Sequence, residues 1–331
     1  MKETDRQQSV YAERMNKPRR ATTAQRTRLL LLGTVLLLLI AGIVWTLVSR
    51  HPISCTANSE TEILTAPVPT PEAFADRPLL SVSVLDVGQG DAILLKSPGG
   101  KVMLVDAGPE ESYFALRRDL EAYDIHKLDI VIATHPHADH IGGMPMLLRN
   151  YEVGTFYLTT FPADTSVYEQ MLLRLQRNGC AVRDTDDETV ISWDPDVRIE
   201  VLNPLKGQVY EDANNASIVL RVCYGDVSFL LTGDMETRTE ELLLRHYDME
   251  QLHADVLKLG HHGSYTSTSE AFLRAVAPRY AIGSMGKDNE YGHPHQAVLD
   301  RLTEHQITLY RTDREGVITA YTDGKNIIIV P

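Results

Sequence analysis

Residues 134–140 read Thr134-His135-Pro136-His137-Ala138-Asp139-His140, placing three imidazoles and a carboxylate within six positions. They follow Leu128–Ala133, an apolar, β-branched run that reads as a buried strand. So many polar groups at a buried strand end are expensive to desolvate unless a ligand takes up their lone pairs. Alternate residues of an extended chain face the same side. His135 and His137 therefore point together and suit one cation, with Asp139 and His140 turned toward a neighbouring one.

The flanking sequence explains how such a strand end is built. Leu80–Val87, Ala92–Lys96 and Val102–Val105 read as strands, with Gly88-Gln89-Gly90 and Pro98-Gly99-Gly100 as turns and Asp106 directly after the third strand. Glu111–Tyr123 has a helical period. The same order recurs further on. Ser217–Val222, a Tyr224-Gly225-Asp226 turn and Val227–Leu231 lead to Gly233-Asp234, a helical segment over 236–247, the strand Asp255–Leu259 and His261. Asp106 precedes His135 by 29 positions, and Asp234 precedes His261 by 27. Two related halves of this order predict an α/β fold in which two sheets pack face to face with helices outside, a four-layer αββα sandwich. His261 then matches His135 in the other half. The expected metal ligands are His135, His137, Asp139, His140, Asp234 and His261, with Asp234 bridging two ions.

These residues resemble the signature of the metallo-β-lactamase superfamily. Leu85-Asp86-Val87-Gly88-Gln89-Gly90-Asp91-Ala92, Asn214-Asn215-Ala216-Ser217, Gly260-His261-His262-Gly263-Ser264 and Tyr291-Gly292-His293-Pro294-His295 are similar, more narrowly, to the hydrolase domain of ComEC-type DNA-uptake competence proteins. The resemblance covers nearly all of residues 80–331. It implies one or two divalent metal ions, zinc or manganese, and hydrolysis through a metal-bound hydroxide with Asp139 orienting the nucleophile. Asn214-Asn215 stand where the superfamily usually offers a third histidine. A neutral amide oxygen is the harder and weaker donor, so the site of His135, His137 and Asp234 is expected to bind weakly or to favour manganese. The site of Asp139, His140, Asp234 and His261 is expected to be complete.

Asp106 is expected to orient a ligand histidine or to stabilise the strand end rather than to bind metal itself. Asp91 has two readings, a turn cap or a residue lining the cleft, and His262 also has two, a neighbour of the ligands or a surface residue. His293 and His295 precede the helical segment Gln296–Glu304. There either backbone N–H groups receive an anionic oxygen, with His293 protonating a leaving group, or the loop is a simple turn with solvated histidines. Asp86, Ser264 and Lys287 complete the candidates near substrate. Gly88-Gln89-Gly90 lacks the third glycine of a dinucleotide fingerprint, and no Gly-x-Ser-x-Gly elbow occurs.

The N-terminal sequence is of a different kind. Residues 1–28 are basic, with eight Lys/Arg against three acids. The next 20 residues, 29–48, are uncharged and mostly apolar, enough to span about 30 Å as a helix. Arg19, Arg20, Arg26 and Arg28 put the N-terminus in the cytoplasm, so a single-pass anchor in the cell membrane with an extracytoplasmic domain is expected. The long basic leader and the absence of a small-x-small cleavage site weigh against a signal peptide. Residues 49–78, rich in Pro, Thr and Ser, read as a tether, and 79–331 as the hydrolase domain. With one spanning segment, a role as the uptake pore is not expected to carry over.

The net charge of −13 argues against a broad basic surface for gripping nucleic acid and says nothing of a local groove or of bound cations. Cys55, Cys180 and Cys223 form neither a zinc ribbon nor a disulfide scaffold. The leading expectation is a phosphodiesterase or nuclease, with DNA among its substrates. A tethered binding module without catalysis, supported by the missing third histidine, and a lactam or amide hydrolase are the alternatives.

Overall fold

The structure, a computed structural model, describes residues 72–74 and 77–331. The expectations for 1–28, for the membrane segment 29–48 and for nearly all of the tether 49–78 fall outside the described residues. Among those described, no helix is long and apolar enough to cross a membrane.

Twelve strands form two copies of one pattern. In the first, β1 (Leu80–Val84), β2 (Ile93–Lys96), β3 (Val102–Val105), β4 (Lys127–Ala133), β5 (Glu152–Leu158) and β6 (Ala181–Asp184) lie side by side in chain order. In the second, β7 (Val197–Asn203), β8 (Val219–Tyr224), β9 (Val227–Leu231), β10 (Val256–Lys258), β11 (Tyr280–Gly283) and β12 (Thr308–Arg311) do the same. In each copy the first three strands pair antiparallel and the last four parallel. A closing hairpin, β13 (Ile318–Thr322) and β14 (Ile327–Val330), extends the first sheet by pairing β13 with β1.

Strand alternation sorts the side chains into layers. Val82, Val84, Ile93, Leu95, Met103, Val105, Ile130 and Ile132 of the first sheet share one core with Val201, Leu220, Val222, Phe229, Leu231 and Ile282 of the second. The alternate residues Leu94, Leu104, Val131 and Phe156 face the helices Tyr113–Ala122, Met144–Asn150 and Ser166–Asn178 through Leu116, Leu120, Leu147 and Leu175. On the far side Leu230, Leu257 and Ala281 pack under Leu243, Phe272, Leu273, Val298 and Leu302 from the helices Thr237–His246, Glu270–Val276 and Gln296–Glu304. The layers are helix, sheet, sheet, helix, the αββα order expected from the repeat.

Two strands are shorter than their hydrophobic runs. Leu85–Val87 leaves the sheet after β1 because Val87 N–H turns back to Leu85 C=O (3.1 Å) and the Asp86 carboxylate accepts from Gly88 N–H (3.2 Å). The loop ends at Gly90, with φ +139; a Cβ there would lie 2.1 Å from the Asp139 carbonyl oxygen, so only glycine lets the two loops touch. Ser217 likewise sits before β8 rather than in it, its N–H bonded to Asn214 C=O (3.0 Å). Both departures bring chain to the edge where β3, β4, β9 and β10 end.

Phe229 is 1% exposed between the sheets. Phe229→Ala is expected to lower the unfolding free energy by about 3–5 kcal/mol in urea denaturation; an unchanged midpoint would mean that the sheets do not share this core.

Candidate metal centre

The loops after β3, β4, β9 and β10 bring the polar residues together. Asp106, directly after β3, is fully buried and fixes the first half of the site. Its Oδ1 accepts from Thr134 N–H (2.8 Å), and its Oδ2 accepts from the Thr134 hydroxyl (2.7 Å) and from His140 Nδ1 (2.8 Å). Occupying Nδ1 this way turns His140 Nε2 toward the centre. His135 rests its Nδ1 near the hydroxyls of Thr134 (3.1 Å) and Ser217 (3.3 Å), which sends its Nε2 the same way. His137 is exposed, its ring 4.7 Å from that of His135.

Asp234, after β9, is the meeting point. It is 1% exposed, and Ser217 Oγ accepts from its N–H at 3.1 Å. Its Oδ2 lies 3.2 Å from His140 Nε2, 3.4 Å from His262 Nε2, 3.8 Å from His261 Nε2 and 3.9 Å from His135 Nε2. Asp139 Oδ2 is 3.3 Å from His262 Nε2 and 3.8 Å from His140 Nε2. Donor atoms about 2.1 Å from a common tetrahedral ion stand about 3.4 Å apart, so Asp139, His140, Asp234 and His262 have the spacing of one coordination shell.

The donor set fits a divalent ion on a second count. Nε2 of His135, His140 and His262, Oδ1 of Asp234 and Oδ1 of Asn214 are buried without a hydrogen-bond partner. Each such orphan costs about 1–3 kcal/mol unless something coordinates it. The charges agree. Burial alone would raise the Asp234 carboxyl, but His140 and His262 outweigh it and hold it well below the usual range. Burial would likewise depress His140 and His262, yet Asp234 leads the carboxylates that keep both well above an ordinary imidazole. His135 is pushed down, first by burial and then by His140. Asp139, though burial opposes it, is held low chiefly by His140.

The second-half histidine differs from the expectation. His262, not His261, carries the buried inward nitrogen. Gly260–Gly263 is a kinked turn in which His261 (φ +45) and His262 (φ +53) are both left-handed, and this carries the chain one residue further before an imidazole faces inward. Ser284 C=O accepts from His262 Nδ1 (2.9 Å) and fixes its tautomer. His261 stands on the rim, a quarter exposed, with Nδ1 toward Glu236 Oε1 (3.0 Å). Asn214 lines the cleft, whereas Asn215 is spent on its own loop, donating to the Asp212 carboxylate at 2.9 and 3.0 Å and accepting from Thr239 N–H at 3.3 Å.

Of the remaining candidates, Asp86 shapes its turn and Ser264 pairs with the Thr266 hydroxyl at 2.9 Å. Lys287 is exposed and does not line the cleft. His295 Nδ1 accepts from Tyr265 N–H at 3.1 Å. His293 faces the cleft with a buried, unpartnered Nδ1; burial, then His262, His261 and His295, push it down to about 4. The cleft, of about 330 Å³, is completed by Gln89, His137, Ala138 and Tyr291.

Asp91 neither caps a turn nor lines this cleft. It is buried against Lys258, 2.5 Å away, and lies 3.4 Å from His262 Nδ1. Asp91, Asp106 and His140 also cluster closely, but Lys258 already supplies the cation there. Burial would raise the Asp91 carboxyl; Lys258 and then His262 bring it down to about 2. The sequence reading missed Lys258, although a lysine ending a wholly buried strand is a signal for a buried partner. It also missed Glu236, Gln89 and Ser217, ordinary residues whose positions only the loops define.

Lys258→Met strands the Asp91 carboxylate and is expected to destabilise the fold by about 3–5 kcal/mol, with Asp91→Asn/Lys258→Met recovering most of it in urea unfolding. Because the Asp91 carboxyl is depressed in the fold, the parent's advantage over the double variant should be full above about pH 4 and fade toward pH 2. Equal stability of Lys258→Met and the parent would count against a buried ion pair.

The chain is similar in sequence to several known proteins. The chain is 35% identical over 255 residues to ComE operon protein 3 of Bacillus subtilis, covering 72% of this chain and 32% of that protein. It is 34% identical over 249 residues to competence protein ComA of Neisseria gonorrhoeae, covering 75% and 33%. Recombination protein 2 of Haemophilus influenzae is 33% identical over 248 residues, covering 73% and 29%. The chain therefore spans about a third of the length of these relatives. Residues 85–286, which include every residue of the centre except His293 and Tyr291 on its rim, match the metallo-beta-lactamase superfamily, and the chain belongs to that family.

Proposed function

We propose that this chain is a membrane-anchored, extracytoplasmic phosphodiesterase that cuts nucleic acid strands in a metal-dependent reaction. The observation that carries the reading is the convergence of three unpartnered imidazole nitrogens, from His135, His140 and His262, on Asp234 in an open cleft. Relatives named for competence and recombination favour nucleic acid as the substrate. Divalent cations, when bound, supply Lewis-acid charge and a water of lowered pKa.

The chain's own residues do the rest. Asp106, Ser217 and the Ser284 carbonyl engage Nδ1 of His140, His135 and His262, so each ring turns its Nε2 toward the centre before any ligand arrives. Asp139, a third exposed and held ionised by His140, accepts a hydrogen bond at Oδ from the attacking water and so orients it. His293, held to about 4, is neutral near pH 7. It orients the departing oxygen by hydrogen bonding rather than holding a proton ready for it, a narrower role than the general acid expected from its loop. The anchor is the apolar segment 29–48, with its arginines on the cytoplasmic side.

Asn214 weighs against a binding module that has lost its chemistry. Its amide oxygen is buried, unpartnered and on the cleft wall, the disposition of a donor kept for an ion rather than of a vestige.

The full chain, purified and supplied with Mn²⁺ or Zn²⁺, is expected to cut a single-stranded oligonucleotide and a simple phosphodiester and to leave a chromogenic lactam intact. Asp139→Ala should lower kcat by about 100-fold or more, and Asp234→Asn should lower the bound metal measured by elemental analysis. Lactam turnover alone, or cleavage indifferent to Asp139→Ala, would rule the reading out. Alkaline phosphatase fused after Pro331 should be active on intact cells if the domain lies outside; an inactive fusion would place it in the cytoplasm.

A further inference from the structure

The cleft carries a feature that metal coordination does not use. Tyr291 and Tyr265 are 65% and 64% exposed. They are the two ends of a ladder of four rings whose first contact is stacked and whose other two are edge-to-face. Tyr291 lies nearly parallel to His293, with 22° between planes and 5.5 Å between centroids; His293 is 5.0 Å from His295, and His295 is 4.9 Å from Tyr265. The inner rung, His293, is 5.7 Å from His261 and 6.3 Å from His262, so the ladder starts at the metal centre and ends in solvent on either side. Tyr291 itself lines the cleft with Gln89, Asp139 and Asp234.

Packing does not account for the two tyrosines. Most of each ring is outside the core, and neither phenol hydroxyl has a hydrogen-bond partner among the described residues. Charge does not supply a grip for a polyanion either. The chain carries −13, and the loop 286–292 that presents Tyr291 holds Lys287 against Asp288 and Glu290. A strand held here must draw its affinity from something other than counterion release. Base-on-ring stacking is such a term, indifferent to net charge and tolerant of sequence because every base has a π-face. A phosphate polymer without bases offers no such face.

We propose that Tyr291 and Tyr265 are a stacking platform for the bases of single-stranded nucleic acid, laying the strand along the cleft that leads to the metal centre. This deepens the phosphodiesterase reading and rests on it. Paired bases in a duplex hide their faces, so the platform selects single strands and frayed ends.

The test measures binding of the full chain to two fluorescent strands of equal length, an oligothymidylate and its base-free abasic counterpart. Anisotropy is read in chelator so that neither is cut. The parent chain is expected to prefer the base-bearing strand by about tenfold. Tyr291→Ala and Tyr265→Ala should each shrink that preference severalfold, Tyr291→Phe should keep it, and none should shift the thermal midpoint. Equal affinity for both strands in the parent overturns the platform and assigns the cleft to base-free phosphate polymers. An undiminished preference in both alanine variants overturns it as well. Failure of the underlying reading looks different: the base preference would persist, but neither strand would be cut once Mn²⁺ is restored.

Discussion

The Asp234 carboxylate is the constraint on which the structure turns. It is buried at the end of β9, within 4 Å of imidazole nitrogens that come from both sheets. A carboxylate so placed is tolerable only when paired, and those buried imidazole nitrogens are tolerable only when a charge or an ion engages them. Each half of the chain supplies what the other half cannot leave uncompensated. The apolar core between the sheets sets the distance at which this meeting happens, and the site in turn dictates which loops leave the sheets early.

The outer shell of contacts is as specific as the ligands. Asp106 on His140, Ser217 beside His135 and Ser284 on His262 each engage Nδ1, so all three rings present Nε2 inward. The Asp91–Lys258 pair lies behind His262 and is sealed from water. It is a neutral unit buried where a lone charge would collapse the local field. Left-handed backbone at Asp106, His261 and His262 belongs to the same apparatus: strained conformations persist where surrounding contacts over-determine them.

Much of this was legible in the sequence because it is local or periodic. Thr134-His135-Pro136-His137-Ala138-Asp139-His140 announces ligand chemistry by density alone, and the recurrence of hairpin, aspartate, helix, strand and histidine predicts the two matching sheets. Asp106 had two readings, a partner of a ligand histidine or a brace for the strand end, and its carboxylate bonds both His140 Nδ1 and the Thr134 backbone at the end of β4. The shift from His261 to His262 was not legible. Strand alignment counts residues, but the turn that follows β10 rotates two of them through left-handed backbone, and only backbone geometry decides which ring then faces inward.

Sequence by itself determined the layer order, the loops that would meet and the residue types available at their tips, since these follow from hydrophobic period and the position of turns. Tertiary structure alone decided which imidazoles converge, that Asn215 serves its own loop while Asn214 faces the cleft, and that Asp91 and Lys258, far apart in the chain, neutralise each other. Those outcomes depend on distances between elements brought together from both halves, and a linear pattern carries no record of such distances.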